Sequence, residues 1–314
     1  MLKYIIKRIS LGLITLLIVS IIIFSLIHFI PGDPIVSMYG EYLSMEKIES
    51  IRASYGLDKP IIIQYINWIN KFVHLDFGES IVRGDDILST VTKTFPRTFL
   101  LALTSIIIGM LVGFPMGIIS ALKRGTAIDV IISQISIFLI SIPGFWFGLL
   151  FIIIFAVSLG IMPAGSYNIV SETGWDLVKY YILPSIVVGL IVSGNISRVV
   201  RAEMIENLDK EYINLVRSKG ASEIRIIFFH VFRNALVATS TIIGMIFASL
   251  IGGVLTVEIV FGFPGLGRTL INAVNSRDYP TIQILVMVFS TLYIIINMFV
   301  DILYSILDPR IKFE

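Results

Sequence analysis

The chain has 314 residues, 56% of them hydrophobic and only 15% charged, and its mean hydropathy of +0.92 lies outside the range of soluble globular proteins. A formal net charge of +2 is too small to argue for a nucleic-acid partner, so the placement of the basic residues says more than their number. Cysteine is absent, which excludes disulfides, thiolate metal sites and cysteine nucleophiles.

A spanning helix needs about 20 apolar residues, and six stretches meet that length, near 9–30, 98–121, 130–159, 178–199, 235–257 and 282–307. The fold class predicted is an all-α membrane protein of six transmembrane helices. The first stretch follows Lys3, Lys7 and Arg8 as a signal peptide would. Its apolar run is too long, however, and no small-residue cleavage site follows, which predicts an uncleaved anchor. Residues 31–95 read as a soluble loop, with turn signals at Pro31-Gly32-Asp33-Pro34 and Gly84-Asp85 and apolar residues alternating with charged ones through 41–55 and 61–72. Short helices on the outer face are expected there, either a lip that receives substrate or a cap on the bundle. On the second stretch Gly109, Gly113 and Gly117 form a small-xxx-small stripe that predicts close helix packing. The third is long enough to tilt or bend, and Pro143 beside Gly144 predicts a kink.

Ionisable groups inside spans are costly and point to function by default. Glu258, Asp301 and Arg198 fall near helix ends, where they can reach the interface; Gln134, Asn195 and Asn297 lie deeper, and with Glu258 they are the candidates for a polar lining or for bridging between helices. The run Gly262-Phe263-Pro264-Gly265-Leu266-Gly267-Arg268-Thr269 nearly spells a phosphate-binding loop. That motif belongs between a strand and a helix of a soluble α/β unit, so here it predicts a tight turn and no ATP site. His28, His74 and His230 are scattered, which argues against a metal cluster, and no catalytic set gathers on one span, so an enzyme is not expected.

Charge placement predicts orientation. With the N-terminus inside, the cytoplasmic pieces hold thirteen basic residues, including Lys123, Arg124, Arg310 and Lys312; the short external loops hold three, Lys179, Arg268 and Arg277. Both termini are therefore expected in the cytoplasm.

The same orientation makes residues 201–234 cytoplasmic. The segment carries six Lys/Arg (Arg201, Lys210, Arg217, Lys219, Arg225, Arg233) and five acids (Glu203, Glu206, Asp209, Glu211, Glu223). On a helix over 201–218, Met204, Ile205, Leu208, Tyr212, Leu215 and Val216 fall along one stripe. Lys219-Gly220 ends it, Ser222 is placed to cap a second helix with Glu223 in its first turn, and Ile224, Ile227, Phe228 and Val231 form the next stripe. A helix lying on lipid headgroups should be mainly basic. Charges balanced six to five fit a protein-docking elbow better.

Glu211-Tyr212, Arg217-Ser218-Lys219-Gly220-Ala221-Ser222, His230 and Arg233-Asn234-Ala235-Leu236 resemble the cytoplasmic EAA loop of bacterial ABC importer permeases of the dipeptide, oligopeptide and nickel family. Further motifs of that family recur in order: Ile30-Pro31-Gly32-Asp33-Pro34, Tyr55-Gly56-Leu57-Asp58-Lys59-Pro60, Leu75-Asp76-Phe77-Gly78-Glu79-Ser80, Ala121-Leu122-Lys123-Arg124-Gly125, Phe261-Gly262-Phe263-Pro264-Gly265-Leu266-Gly267, Arg277-Asp278-Tyr279-Pro280 and Leu307-Asp308-Pro309-Arg310. The chain departs from the pattern at Asn214-Leu215-Val216, where the loop's name-giving Glu-Ala-Ala would fall, so no glutamate there receives a role.

The resemblance implies a division into an N-terminal tail and first helix (1–30), an extracytoplasmic loop (31–95), a permease domain (96–307) and a cytoplasmic tail (308–314). It implies a non-catalytic multi-pass subunit of the bacterial cell membrane, in contact with lipid. Its partners would be a homologous second permease, two ABC ATPase subunits that bind the ATP, and an extracytoplasmic substrate-binding protein; the chain itself would bind no cofactor. Coupling to the ATPase would fall to Glu211, Tyr212, Arg217, Lys219, Gly220, Ala221, Ser222, His230, Arg233 and Asn234. Glu211, Arg217 and Lys219 would pair with charges on the ATPase, while His230, Arg233 and Asn234 would bond the second helix back onto the elbow. Peptides are the expected substrate, with nickel or a metal chelate as the alternative. A channel or an ion-coupled carrier is the alternative of another class. A carrier should show acids deep in mid-span, which the sequence lacks.

Overall fold

The structure, a computed structural model, describes residues 2–29, 46–47, 49–50, 58–166, 169 and 173–307. The turn signal at 31–34, most of 41–55, and the tail from Asp308 with Arg310 and Lys312 lie outside the described residues. Among the described residues all regular structure is helical, apart from an isolated bridge between Glu79 and Asp86. In chain order the helices are α1 (Leu2–Phe29), α2 (Ile61–Val73), α3 (Ile87–Leu122), α4 (Ala127–Ser141), α5 (Gly144–Ser158), α6 (Gly174–Leu208), α7 (Glu211–Ser218), α8 (Glu223–Gly253), α9 (Leu255–Val260), α10 (Leu266–Asn275) and α11 (Tyr279–Leu307). Five of them, α1, α3, α6, α8 and α11, are long and apolar enough to cross a membrane, and α4 with α5 makes a sixth if the bent pair is one span.

That pair turns by 101°, far more than the expected kink. Pro143 has no N–H to continue the helix, and its ring disfavours the helical conformation at the residue before it. Ile142 accordingly sits at φ −72°, ψ 129° and Pro143 at φ −63°, ψ 125°, both extended. The fourth expected span also changes. The apolar run ends near residue 199, but α6 continues to Leu208, and its 35 residues reach about 52 Å against a hydrocarbon thickness of about 30 Å. Its charged end therefore projects into water.

The chain divides into two compact units. In the first, formed by described residues of 97–265 and 295–307, α6 is the buried centre. The glycine stripe of α3 lies against it: a Cβ on Gly109, Gly113 or Gly117 would stand 2.7–2.8 Å from Val192, from Ile196 and the Ser193 carbonyl, or from Val200 and the Ser197 carbonyl. Gly194 gives α6 the same closeness to the Ser136 carbonyl of α4. Hydroxyl pairs join these surfaces, Thr104 with Ser185 at 2.7 Å and Ser136 with Ser197 at 3.1 Å.

Of the two readings open for Glu258, the interface and a bridge between helices, the second describes its position. It is fully buried and accepts a 2.6 Å hydrogen bond from the Thr98 hydroxyl of α3. The turn through 261–265 closes over it: Phe263 N–H donates to the Glu258 carbonyl at 2.7 Å, Gly262 takes φ +59°, and a side chain on Gly265 would overlap the carboxylate. Burying a carboxylate is tolerable only when hydrogen bonds satisfy it, so the local fold is built around this residue.

The second unit comprises 2–96 and 266–294, with a core of Phe77, Ile87, Val91, Leu266, Ile284 and Leu285. Asp278, also buried, accepts hydrogen bonds from the hydroxyls of Ser80 (2.5 Å) and Thr281 (2.7 Å) and from the Ile81 N–H (3.3 Å). It ties the loop after α2 to the start of α11. The preceding residue, Arg277, takes φ +54° to make the turn.

Candidate coupling site

The first expected elbow helix, over 201–218, is two pieces. α6 runs through Leu208, Lys210 is extended at φ −74°, ψ 139°, and α7 begins at Glu211. Asn207 and Asp209 are weak helix formers, and polar side chains here bond locally: Asn207 donates to the Glu203 carbonyl at 2.8 Å and accepts from Lys210 at 3.1 Å. The break resets the register. Met204 and Ile213 are completely buried, whereas Leu215, expected on one apolar stripe with Met204, is 58% exposed.

α7 ends in a Schellman turn: Gly220 N–H bonds the Arg217 carbonyl at 3.0 Å and Ala221 N–H bonds the Val216 carbonyl at 3.4 Å. Gly220 takes φ +84°, yet nothing lies within 4 Å of where a Cβ would stand. The demand for glycine is therefore conformational, not a matter of space. Ser222 occupies the N-cap position of α8, but its hydroxyl makes no capping bond.

Two side-chain bridges close the elbow. Arg217 bonds Glu223 through Nε at 2.6 Å and Nη2 at 3.2 Å, and Asn234 Nδ2 donates to the Tyr212 hydroxyl at 2.8 Å. The Glu223 carboxylate holds the Arg217 guanidinium above its ordinary pKa. Arg217 thus has its countercharge within the chain. Of the three residues expected to bond α8 back onto the elbow, Asn234 does so; among the described residues no such bond is found for His230 or Arg233. Glu211, Lys219 and Arg233 are exposed and His230 is half-buried.

The second stripe is also displaced. Residues Ile226–Phe232 form a π-helical turn, and its buried residues Ile226 and Val231 are five apart instead of three or four. Ile224 (72% exposed) and Phe228 (52%), expected on one stripe with Val231, therefore face outward while Val231 is buried.

Below the elbow lies a cluster that sequence reasoning missed. Arg201 near the end of α6 grips Asp129 in the first turn of α4 through Nε–Oδ1 at 2.7 Å and Nη2–Oδ2 at 2.8 Å. The same carboxylate accepts from the Ser120 hydroxyl of α3 at 2.6 Å and from Gly125 N–H at 3.0 Å. Asp129 is 7% exposed, so one buried acid joins three helices. Arg124 then reaches Asp209, at the break before α7, at 3.0 Å on the open surface. The remaining candidates lie elsewhere: Gln134 is exposed, Asn195 and Asn297 are half-buried, and Glu258 bridges α9 to α3.

Residues 113–313 match the family described as "Binding-protein-dependent transport system inner membrane component", and residues 1–102 match the N-terminal part of such membrane components. A Brucella abortus (strain 2308) protein that carries the name of a peptide transport system permease is 37% identical over 312 residues, covering 99% of both chains. The glutathione transport system permease protein of Escherichia coli (strain K12) is 38% identical over 315 residues, covering all of both chains. Among solved structures, an inward-facing form of the MetNI methionine ABC transporter matches with a TM-score of 0.54 and 18% identity over 70% of this chain and 97% of the other, a likeness of fold.

Proposed function

We propose, since the chain belongs to the binding-protein-dependent transport system inner membrane component family, that it is the permease subunit through which an ABC importer carries small peptides across the bacterial cell membrane. The observation that carries this reading is full-length identity of 37–38% to proteins named for peptide and glutathione transport. Membership of the family implies a complex with ATPase and binding-protein partners. In our reading that complex contains a homologous second permease, two ATPase subunits that bind and hydrolyse the ATP, and an extracytoplasmic binding protein. This chain is then non-catalytic and needs no cofactor of its own.

Both termini and residues 201–234 are cytoplasmic in this reading, residues 31–95 lie on the opposite side, and 96–307 form the permease domain. Force transfer requires a stiff contact, and α7 with the start of α8 supplies one: a Schellman turn at Gly220 and bridges at Arg217–Glu223 and Tyr212–Asn234 hold it. Leu215, Ile224 and Phe228 present apolar surface to the ATPase, flanked by Glu211 and Lys219. Motion enters at the break beside Asp209 and reaches α3, α4 and α6 together through Asp129, so the helices rock as a group toward the opposite-facing state. Ala221 and Ser222 shape the turn, and His230 and Arg233 remain available to the partner.

The test is uptake of labelled di- and tripeptides by the reconstituted complex with its binding protein. Uptake should require ATP hydrolysis in the partner subunits. Accumulation driven by an ion gradient without ATP would support a secondary carrier and sink the proposal.

A further inference from the structure

Helix α2 carries two apolar faces, and its own unit uses one of them. Tyr65, Trp68 and Phe72, at i, i+3 and i+7, form the first. The Tyr65 and Trp68 rings lie 5.4 and 5.7 Å from Phe24 of α1, Phe72 stacks on Phe77 at 5.4 Å, and the Tyr65 hydroxyl pairs with Ser20 at 2.8 Å. The second face, turned by about 100° from the first, is aliphatic: Ile62, Ile66, Ile69 and Val73, at i, i+4, i+7 and i+11. Ile62, Ile66 and Val73 are 73%, 55% and 69% exposed, and no residue of the helix is buried. Gln64, Asn67 and Lys71 form the polar side opposite.

What covers the aliphatic face is indicated by the helix on which α2 sits. α1 is an apolar span whose Leu13, Leu17 and Ile21 stand 47–61% exposed, so in a membrane protein its open surface is a lipid surface. Leu17 and Leu13 stand three and seven residues before Ser20, on the side of α1 that holds α2. α2 is fastened at Ser20 and Phe24, and Phe24 is five residues, about 7–8 Å, from the end of α1 at Phe29. Ser20 and Phe24 thus lie toward one end of the apolar run of 6–26, the part of a span nearest the headgroup and acyl-chain boundary, where a helix with one apolar and one polar side lies flat.

We infer that α2 is an interfacial helix, with Ile62, Ile66, Ile69 and Val73 in the acyl chains of the bilayer and Gln64, Asn67 and Lys71 toward water. The segment that reads from sequence as part of a soluble lip or cap is then a lipid foothold that fixes the corner between α1 and α2. This rests on the membrane setting alone and not on the transport reading.

Because the natural chain has no cysteine, a single reporter can be introduced without other changes. Ile66→Cys and Asn67→Cys, each carrying an environment-sensitive fluorophore, would be reconstituted as the full complex in phosphatidylethanolamine/phosphatidylglycerol vesicles. They would be quenched separately by acyl-chain nitroxide lipid and by aqueous iodide. The label at 66 should be quenched at least about threefold more by the nitroxide lipid than the label at 67, with the order reversed for iodide. Equal iodide quenching at 66 and 67 would overturn the inference by placing the face in water. Protection of 66 from both quenchers would overturn it by showing that protein covers the face. If Ile66→Cys fails to assemble, Val73→Cys reports the same face and should behave as 66 does.

Discussion

Gly220 offers the sharpest perturbation of the elbow, because its requirement is backbone conformation alone. At φ +84° an L-residue is strained by roughly 1–2 kcal/mol, which lowers the population of the formed turn about five- to thirtyfold. Asparagine tolerates this region better than other non-glycine residues, and with nothing within 4 Å of the Cβ position a larger side chain meets no added obstruction. Proline is worst: its φ is fixed about 150° away, and it lacks the N–H that bonds the Arg217 carbonyl, worth about 1 kcal/mol more. Binding-protein-stimulated ATP hydrolysis, measured relative to basal hydrolysis in membranes holding the full complex, should fall in the order Gly, Asn, then Ala and Leu together, then Pro. If Gly220→Leu were far worse than Gly220→Ala, or if Gly220→Pro kept normal stimulation, the conformational reasoning would be refuted.

Asp129→Ala should cost about 2–4 kcal/mol in thermal or denaturant stability, because it leaves Arg201, the Ser120 hydroxyl and the Gly125 N–H without their acceptor, moderated by the third of Arg201 that water reaches. In assembled complexes it should also lower the peptide transported per ATP hydrolysed, a ratio that loss of folded protein alone leaves unchanged. Glu223→Arg should weaken stimulated hydrolysis, and the double exchange Arg217→Glu with Glu223→Arg should recover most of it; since both groups are solvent-exposed, the deficit of the single variant should shrink at high salt. Gly113→Val should destabilise the fold by about 1–3 kcal/mol, read as a lower unfolding temperature and yield, because its Cβ would meet the Ser193 carbonyl and Ile196 at 2.8 Å.

Features with a local cause are legible in the sequence. The apolar stretches announce the spans by length, the Gly109–Gly113–Gly117 stripe announces close packing, and Gly220 announces the end of α7. What is not legible depends on register or distance. The run-on of α6 to Leu208 follows its helical backbone past the point where apolar composition stops, and the break at Asp209–Lys210 then shifts Leu215 outward. A π-helical turn has no signature in a 3.6-residue stripe, so Ile224 and Phe228 read as sharing one face with Val231. Glu258 near a helix end is open to both the interface and a bridge between helices because sequence does not show the turn that folds over it. Asp129 and Arg201 are 72 residues apart, and the only local hint is an acid at the threshold of a span. Glu223 has a nearer clue, an opposite charge six residues away at Arg217 across a glycine turn.

The account turns on α7 being the surface on which the ATPase acts. Leu215→Cys in the otherwise cysteine-free chain puts a reporter on its exposed apolar side. The rate at which a water-soluble maleimide labels this position should drop at least about tenfold when the ATPase subunits are bound, as expected for a side chain buried at the centre of a protein contact. An unchanged rate, in a complex shown to contain the ATPase and to hydrolyse ATP, would contradict the assignment of the elbow as the coupling site.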